Sequence, residues 1–145
     1  MFRMILGMSE QQKEIGRELS AKAKPLLRHL IKVMLYPDAQ EYSHWKSEIT
    51  EFINDVDKVK GSNKWPKAGF IKQSISKQND MIDAVIKQVK MQERDLVPQP
   101  LTESEVLSGV QMYQDWLASH LSSEGIIDPY EASTVIDKIV DLRRR

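Results

Sequence analysis

Between Tyr42 and Val59 six apolar residues, Tyr42, Trp45, Ile49, Phe52, Val56 and Val59, recur at alternating steps of three and four with no gap. That spacing follows the 3.6-residue turn of an α-helix, whereas the inward residues of a strand recur at every second position. No segment alternates with period two over a useful length, and there is no internal repeat. The sequence therefore specifies an all-α fold.

From Ser9 to Leu35 the residues Ile15, Leu19, Ala23, Leu26, Leu30 and Met34 form a second stripe of the same kind. Leu27, Ile31 and Leu35 widen it to the breadth of a central helix packed on two sides. Pro25 removes one backbone donor and crowds the carbonyl of Ala21, which predicts a kink or a restart there. Pro37 stops this helix, Asp38 and Glu41 read as a capping box for the next, and Gly61 follows its end. Pro66 suits the first turn of a third helix whose stripe is Ile71, Ile75, Gln78, Ile82, Val85 and Val89. Gln78 leaves two readings: its amide is hydrogen-bonded inside, or that seam is partly open.

LVPQPL, residues 96–101, is the one proline-rich linker. Thr102 and Glu105 form a second capping box, with Leu101 and Val106 placed as a hydrophobic staple. The helix they open carries Val106, Val110, Tyr113, Leu117 and Leu121. Asp128, Pro129 and Glu131 open the last one, with Ala132, Val135, Ile136, Ile139 and Leu142 inward and Arg143 to Arg145 at the end that favours positive charge. The expected architecture is an antiparallel bundle of about five helices: 9–35 kinked near Pro25, 39–60, 66–95, 103–123 and 129–143. Residues 1–8 read as a frayed lead-in, with Met1 or Met8 as the start. Residues 9–145 read as a single domain, in which a three-helix part (9–95) is followed by the linker and a C-terminal hairpin (102–145). About 45 residues make a poor independent core, which argues against a second domain.

The chain has 145 residues, 21 basic and 21 acidic, and no cysteine. Balanced charge leaves no overall field to steer it to nucleic acid or an anionic membrane. The absence of cysteine removes disulfides and thiolate chemistry and fits a cytoplasmic location. MFRMILGM is too short for a signal-peptide core or for the ~20 residues that span a bilayer.

LLRHLIKVMLYPDAQEYSHW, residues 26–45, gathers two histidines, two tyrosines and a tryptophan. Winding the helices puts His29 and His44 off their apolar stripes, facing water in different directions, and no ligand pair has zinc-site spacing, so no metal or cofactor is expected. His120 alone lies within a stripe, either as a boundary histidine eased by the helix dipole or as a base beside Asp115 or Tyr113 in an enzyme pocket. No nucleophile signature and no glycine-rich phosphate loop accompanies it, so no catalytic residue is assigned.

Two surfaces remain. Lys58, Lys60, Lys64, Lys67, Lys72 and Lys77 form a basic corner with Trp65 and Phe70 and no acid among them, a pattern that suits phosphates and stacked bases but also a solvated turn. Residues 102–142 carry eight acids and only Lys138, which lets the hairpin dock on the basic part or face another partner. Gly109 sits mid-helix at a cost of about 1 kcal/mol, with Met112, Trp116 and His120 flanking one side. Either two helices of this chain cross closely there, or Gly109, Met112 and Trp116 receive a protein partner.

Residues 19–71 resemble a bacterial family known as domain of unknown function twenty-nine. Leu26, Leu27, His29, Leu30, Ile31 and Lys32 match its leucine-rich first helix, Trp45 and Ile49 its second, and Pro66 its third-helix turn. The resemblance implies an all-helical bacterial protein and carries no functional residue with it. The reading that follows is a non-catalytic bundle working through protein contacts as an adaptor or regulator. Nucleic-acid binding at the lysine corner is the first alternative, and a pocket around His120 the second.

Overall fold

A computed structural model describes residues 10–60, 68–121 and 128–144, apart from the side chains at 11, 56–60, 68 and 129. The described residues are helical, without a strand: α1 (Glu10–Leu35), α2 (Tyr42–Lys60), α3 (Ala68–Ile75), a 3-10 turn (Asn79–Met81), α4 (Ile82–Gln92), α5 (Glu103–Leu121) and α6 (Pro129–Arg143).

The wide stripe of α1 makes it the hub: it packs against every other helix. Ile15, Leu19, Leu27, Ile31 and Met34 are almost wholly removed from water, each contributing roughly 1.5–3 kcal/mol by transfer alone. Pro25 does not restart the helix, which runs unbroken through it. Gly16 lets α1 and α3 cross closely, because a Cβ there would collide with the Phe70 ring. Ser20 Oγ donates to Ser74 O at 3.1 Å one turn along, so α3 advances in the same direction as α1. Between α1 and α2, Lys22 meets Asp55 and Lys32 lies over the Trp45 ring, which sets these two antiparallel.

The corner after α1 differs from the expected capping box at Asp38 and Glu41. Two successive turns, Ala39 N to Tyr36 O and Tyr42 N to Ala39 O, delay α2 to Tyr42, and the Asp38 carboxylate pairs with Arg144 beyond α6. Tyr36 and Trp45, both buried, fill the corner with rings 6.3 Å apart.

The third expected helix, 66–95, is broken. The α-helix ends at Ile75 and resumes at Ile82, with the 3-10 turn between, and Gln78 lies in the interruption, partly exposed, its carbonyl accepting from Met81 N. The break is stabilised from outside: the buried Gln114 amide of α5 donates to Ile75 O at 3.2 Å, capping α3 where its own next turn would have done so.

The linker is also tied down. Gln99 N donates to Leu35 O and Gln99 Nε2 to Met34 O, both at 2.7 Å, so residues 96–101 serve as a distant cap for the end of α1. The Thr102–Glu105 box forms as its sequence predicts, with reciprocal bonds of 3.0 and 3.1 Å. Asp128 caps α6 by accepting from Tyr130 N, with Pro129 in the first turn.

The hairpin docks on the first part. Ala132, Ile136, Ile139 and Val140 of α6 are buried, whereas Leu142, expected inward, is 67% exposed because it lies on the outer side of α6. Polar contacts add register: Asp137 accepts from Tyr42 Oη at 2.7 Å and from Lys46 Nζ at 3.0 Å.

Candidate functional site

Helix α5 presents its apolar stripe to the core and leaves two flanks, one towards α6 and one towards α3. At the first, Gly109 is buried: a Cβ would collide with Met34 Cε, stand 2.9 Å from its sulfur and 3.4 Å from Ile139 Cγ2. The glycine is thus the floor where α1, α5 and α6 converge, and the space above it is filled by side chains of this chain. Met112, one turn on, is 38% exposed. Arg143 of α6 reaches across to it, donating to Ser108 Oγ at 2.7 Å with its Nη2 3.5 Å from Met112 Sδ.

Trp116 is half-buried, between Tyr113 (ring centroids 5.6 Å apart) and His120 (4.5 Å). The His120 ring donates through Nδ1 to Trp116 O at 2.9 Å, and its Nε2 lies 3.4 Å from Glu131 of α6. Asp115, weighed as a partner for this histidine, points elsewhere. On this flank α5 and α6 run antiparallel, with Met112 and Trp116 at the outer edge of their seam. At 100° per residue Val135, Lys138 and Leu142 share the side of α6 that bears Glu131, so that side alternates charged and apolar residues.

On the second flank Asp115 forms an ion pair of 2.7 Å with Lys72 of α3. That contact joins the acidic hairpin to Lys72 of the lysine corner, of which Phe70 and Lys77 are also described. The side chains of Lys58 and Lys60, and Lys64, Trp65 and Lys67 altogether, lie outside the described residues. Beneath the pair, Lys72, Ser76, Asn79, Gln111, Gln114 and Asp115 line an open cleft of about 360 Å³.

Of the other two histidines, His44 faces water as its helical angle suggests, 70% exposed, whereas His29 does not. His44 Nε2 lies 3.1 Å from one oxygen of Glu48 and His29 Nε2 lies 3.7 Å from the other, so one carboxylate of α2 stands between the two rings. The His29 side chain is only 17% exposed, and its Nδ1 donates to Pro25 O at 2.7 Å. Angles taken on each helix alone miss this, because it is the α1–α2 packing that brings Glu48 to His29. Among the described residues no group of three His, Cys, Asp or Glu side chains is arranged to hold a metal ion.

Tyr113 is buried in the core, and its hydroxyl has no hydrogen-bond partner among the described residues. Burial alone holds its ionisation well above the usual tyrosine value. Tyr42 is raised too, first by burial and then by its hydrogen bond to Asp137, which favours the neutral phenol.

No described helix is long and apolar enough to cross a membrane. Comparison with family models, with curated proteins and with solved structures finds no match to the chain.

Proposed function

We propose that the protein is a non-catalytic helical bundle that binds a protein partner through the outer edge of the α5–α6 seam, as an adaptor or regulatory module. The observation that carries this reading is the half-open indole of Trp116, stacked on His120 and next to the exposed thioether of Met112. A large aromatic held rigidly by its neighbours loses little freedom on binding, and a methionine adapts its shape to the partner. Gly109 supports the face from below, since its missing side chain lets the seam close around Met34.

The test is affinity capture with the wild type, Trp116→Ala, Met112→Asp and, as a control on another face, Lys87→Ala, with helicity checked by circular dichroism. Loss of one and the same partner from both seam variants, with helicity unchanged, supports the reading. Unfolding of Trp116→Ala would make the indole a core residue, and capture that is indifferent to both variants would remove the seam as the contact face.

A further inference from the structure

The cleft on the opposite flank of α5 combines three departures from what local sequence favours. A helical stripe that continues in sequence from Ile71 to Val89 is broken between Ile75 and Ile82. A carboxamide, Gln114, sits 2% exposed on the core side of a helix whose neighbouring inward positions are apolar. A cation and an anion, Lys72 and Asp115, stand together at the mouth. Departures of this kind gather where a chain serves something other than its own packing, and a pocket with convergent polar groups is the usual form of a small-molecule site.

Floor and rim have different mechanical characters. Gln114 is fixed by donating to Ile75 O and to Asn79 Oδ1 while accepting from Asn79 Nδ2 at 2.7 Å. Asn79 spends one amide hydrogen and one carbonyl lone pair on this exchange, and by the valence of a carboxamide it retains one of each for the cleft. Lys72 and Asp115 are each 56% exposed, and an ion pair that open to water is held weakly and exchanges readily for other charges. The floor is rigid and reads hydrogen bonds, whereas the rim opens to a ligand bearing both signs of charge.

We infer that this cleft binds a free α-amino acid with a polar side chain: its carboxylate on Lys72, its ammonium on Asp115, and its side chain on the carboxamides of Asn79 and Gln111. A net-neutral zwitterion replaces the existing ion pair without leaving either charge unmatched. All six lining side chains are polar, which selects against an apolar ligand of the same size. The inference does not depend on the seam between α5 and α6, which lies on the other flank.

The experiment is an NMR titration of the full chain, following the side-chain amide signals of Asn79, Gln111 and Gln114, with L-glutamine as probe. N-acetyl-L-glutamine lacks the ammonium, L-glutamine amide lacks the carboxylate, and L-leucine lacks the polar side chain. Saturable shifts with L-glutamine are expected, at least tenfold weaker for each of the three analogues. Lys72→Met and Asp115→Asn, both at exposed positions, are expected to keep the backbone spectrum and to weaken binding at least tenfold. Absence of saturable shifts, equal response to L-leucine, or wild-type titration of both variants would each overturn the assignment.

Discussion

Asn79 and Gln114 exchange carboxamide hydrogen bonds across the break between α3 and α4, at 2.7 Å in one direction and 3.0 Å in the other. The pair lets a buried polar group sit in the core without loss, and it ties α5 to the only long interruption in the α3–α4 run. Polar groups with such reciprocal bonds contribute modestly when paired and cost more when one partner is left behind.

Gln114→Leu should therefore lower stability by about 1–3 kcal/mol, because the buried Ile75 O loses its partner and Asn79 loses its exchange with the amide. Urea denaturation checks this: the midpoint should fall while the slope stays constant. An unchanged midpoint would mean that the amide is not needed to close the break.

Tyr113→Phe should leave stability unchanged or raise it by up to about 1 kcal/mol, since the hydroxyl it removes is buried without a partner among the described residues. The pH dependence has a definite sign. Burial raises the folded ionisation of Tyr113 above 10.0, so its neutral form contributes fully below pH 10.0. That contribution is lost as the pH climbs from there towards the folded value, because the unfolded chain ionises first. Thermal melts at rising alkaline pH should decline less steeply for Tyr113→Phe than for the wild type, with Tyr42 still supplying a slope in both.

Gly109→Val should cost about 1–3 kcal/mol through overpacking against Met34 and Ile139. Shortening Met34 to alanine should recover part of that cost. A double-mutant cycle would then show a coupling of about 0.5–3 kcal/mol, and strictly additive effects would place the clash elsewhere.

Gln99→Ala should cost about 0.5–1.5 kcal/mol by releasing the carbonyl of Met34. Hydrogen exchange is the more direct measurement: the amide of Gln99, bonded to Leu35 O, should exchange faster in the variant.

What was legible in the sequence was local. Thr102 with Glu105, and Asp128 with Pro129, report on bonds formed within one turn, and both caps form as read. The stripe of α1 revealed its central place because a helix with neighbours on two sides must be apolar on two sides. The break after Ile75 was invisible because periodicity is the same whether a helix continues or pauses in register. The stabilising amide comes from Gln114, 39 residues further on. Asp38 looked like a cap because its competing partner, Arg144, belongs to the far end of the last helix. The seam residues Met112 and Trp116 could be named from spacing, but the cleft behind Asp115 needed two distant stretches, 72–79 and 111–115, in one place.

Among the described residues the hub helix precedes every helix that covers it. During synthesis the sides it turns to those helices therefore wait for them, the last being α6. This order makes the half-made chain the sticky form of the molecule. Variants that weaken the docking of α6 should show their effect first as aggregation during expression, before any difference appears in the purified fold.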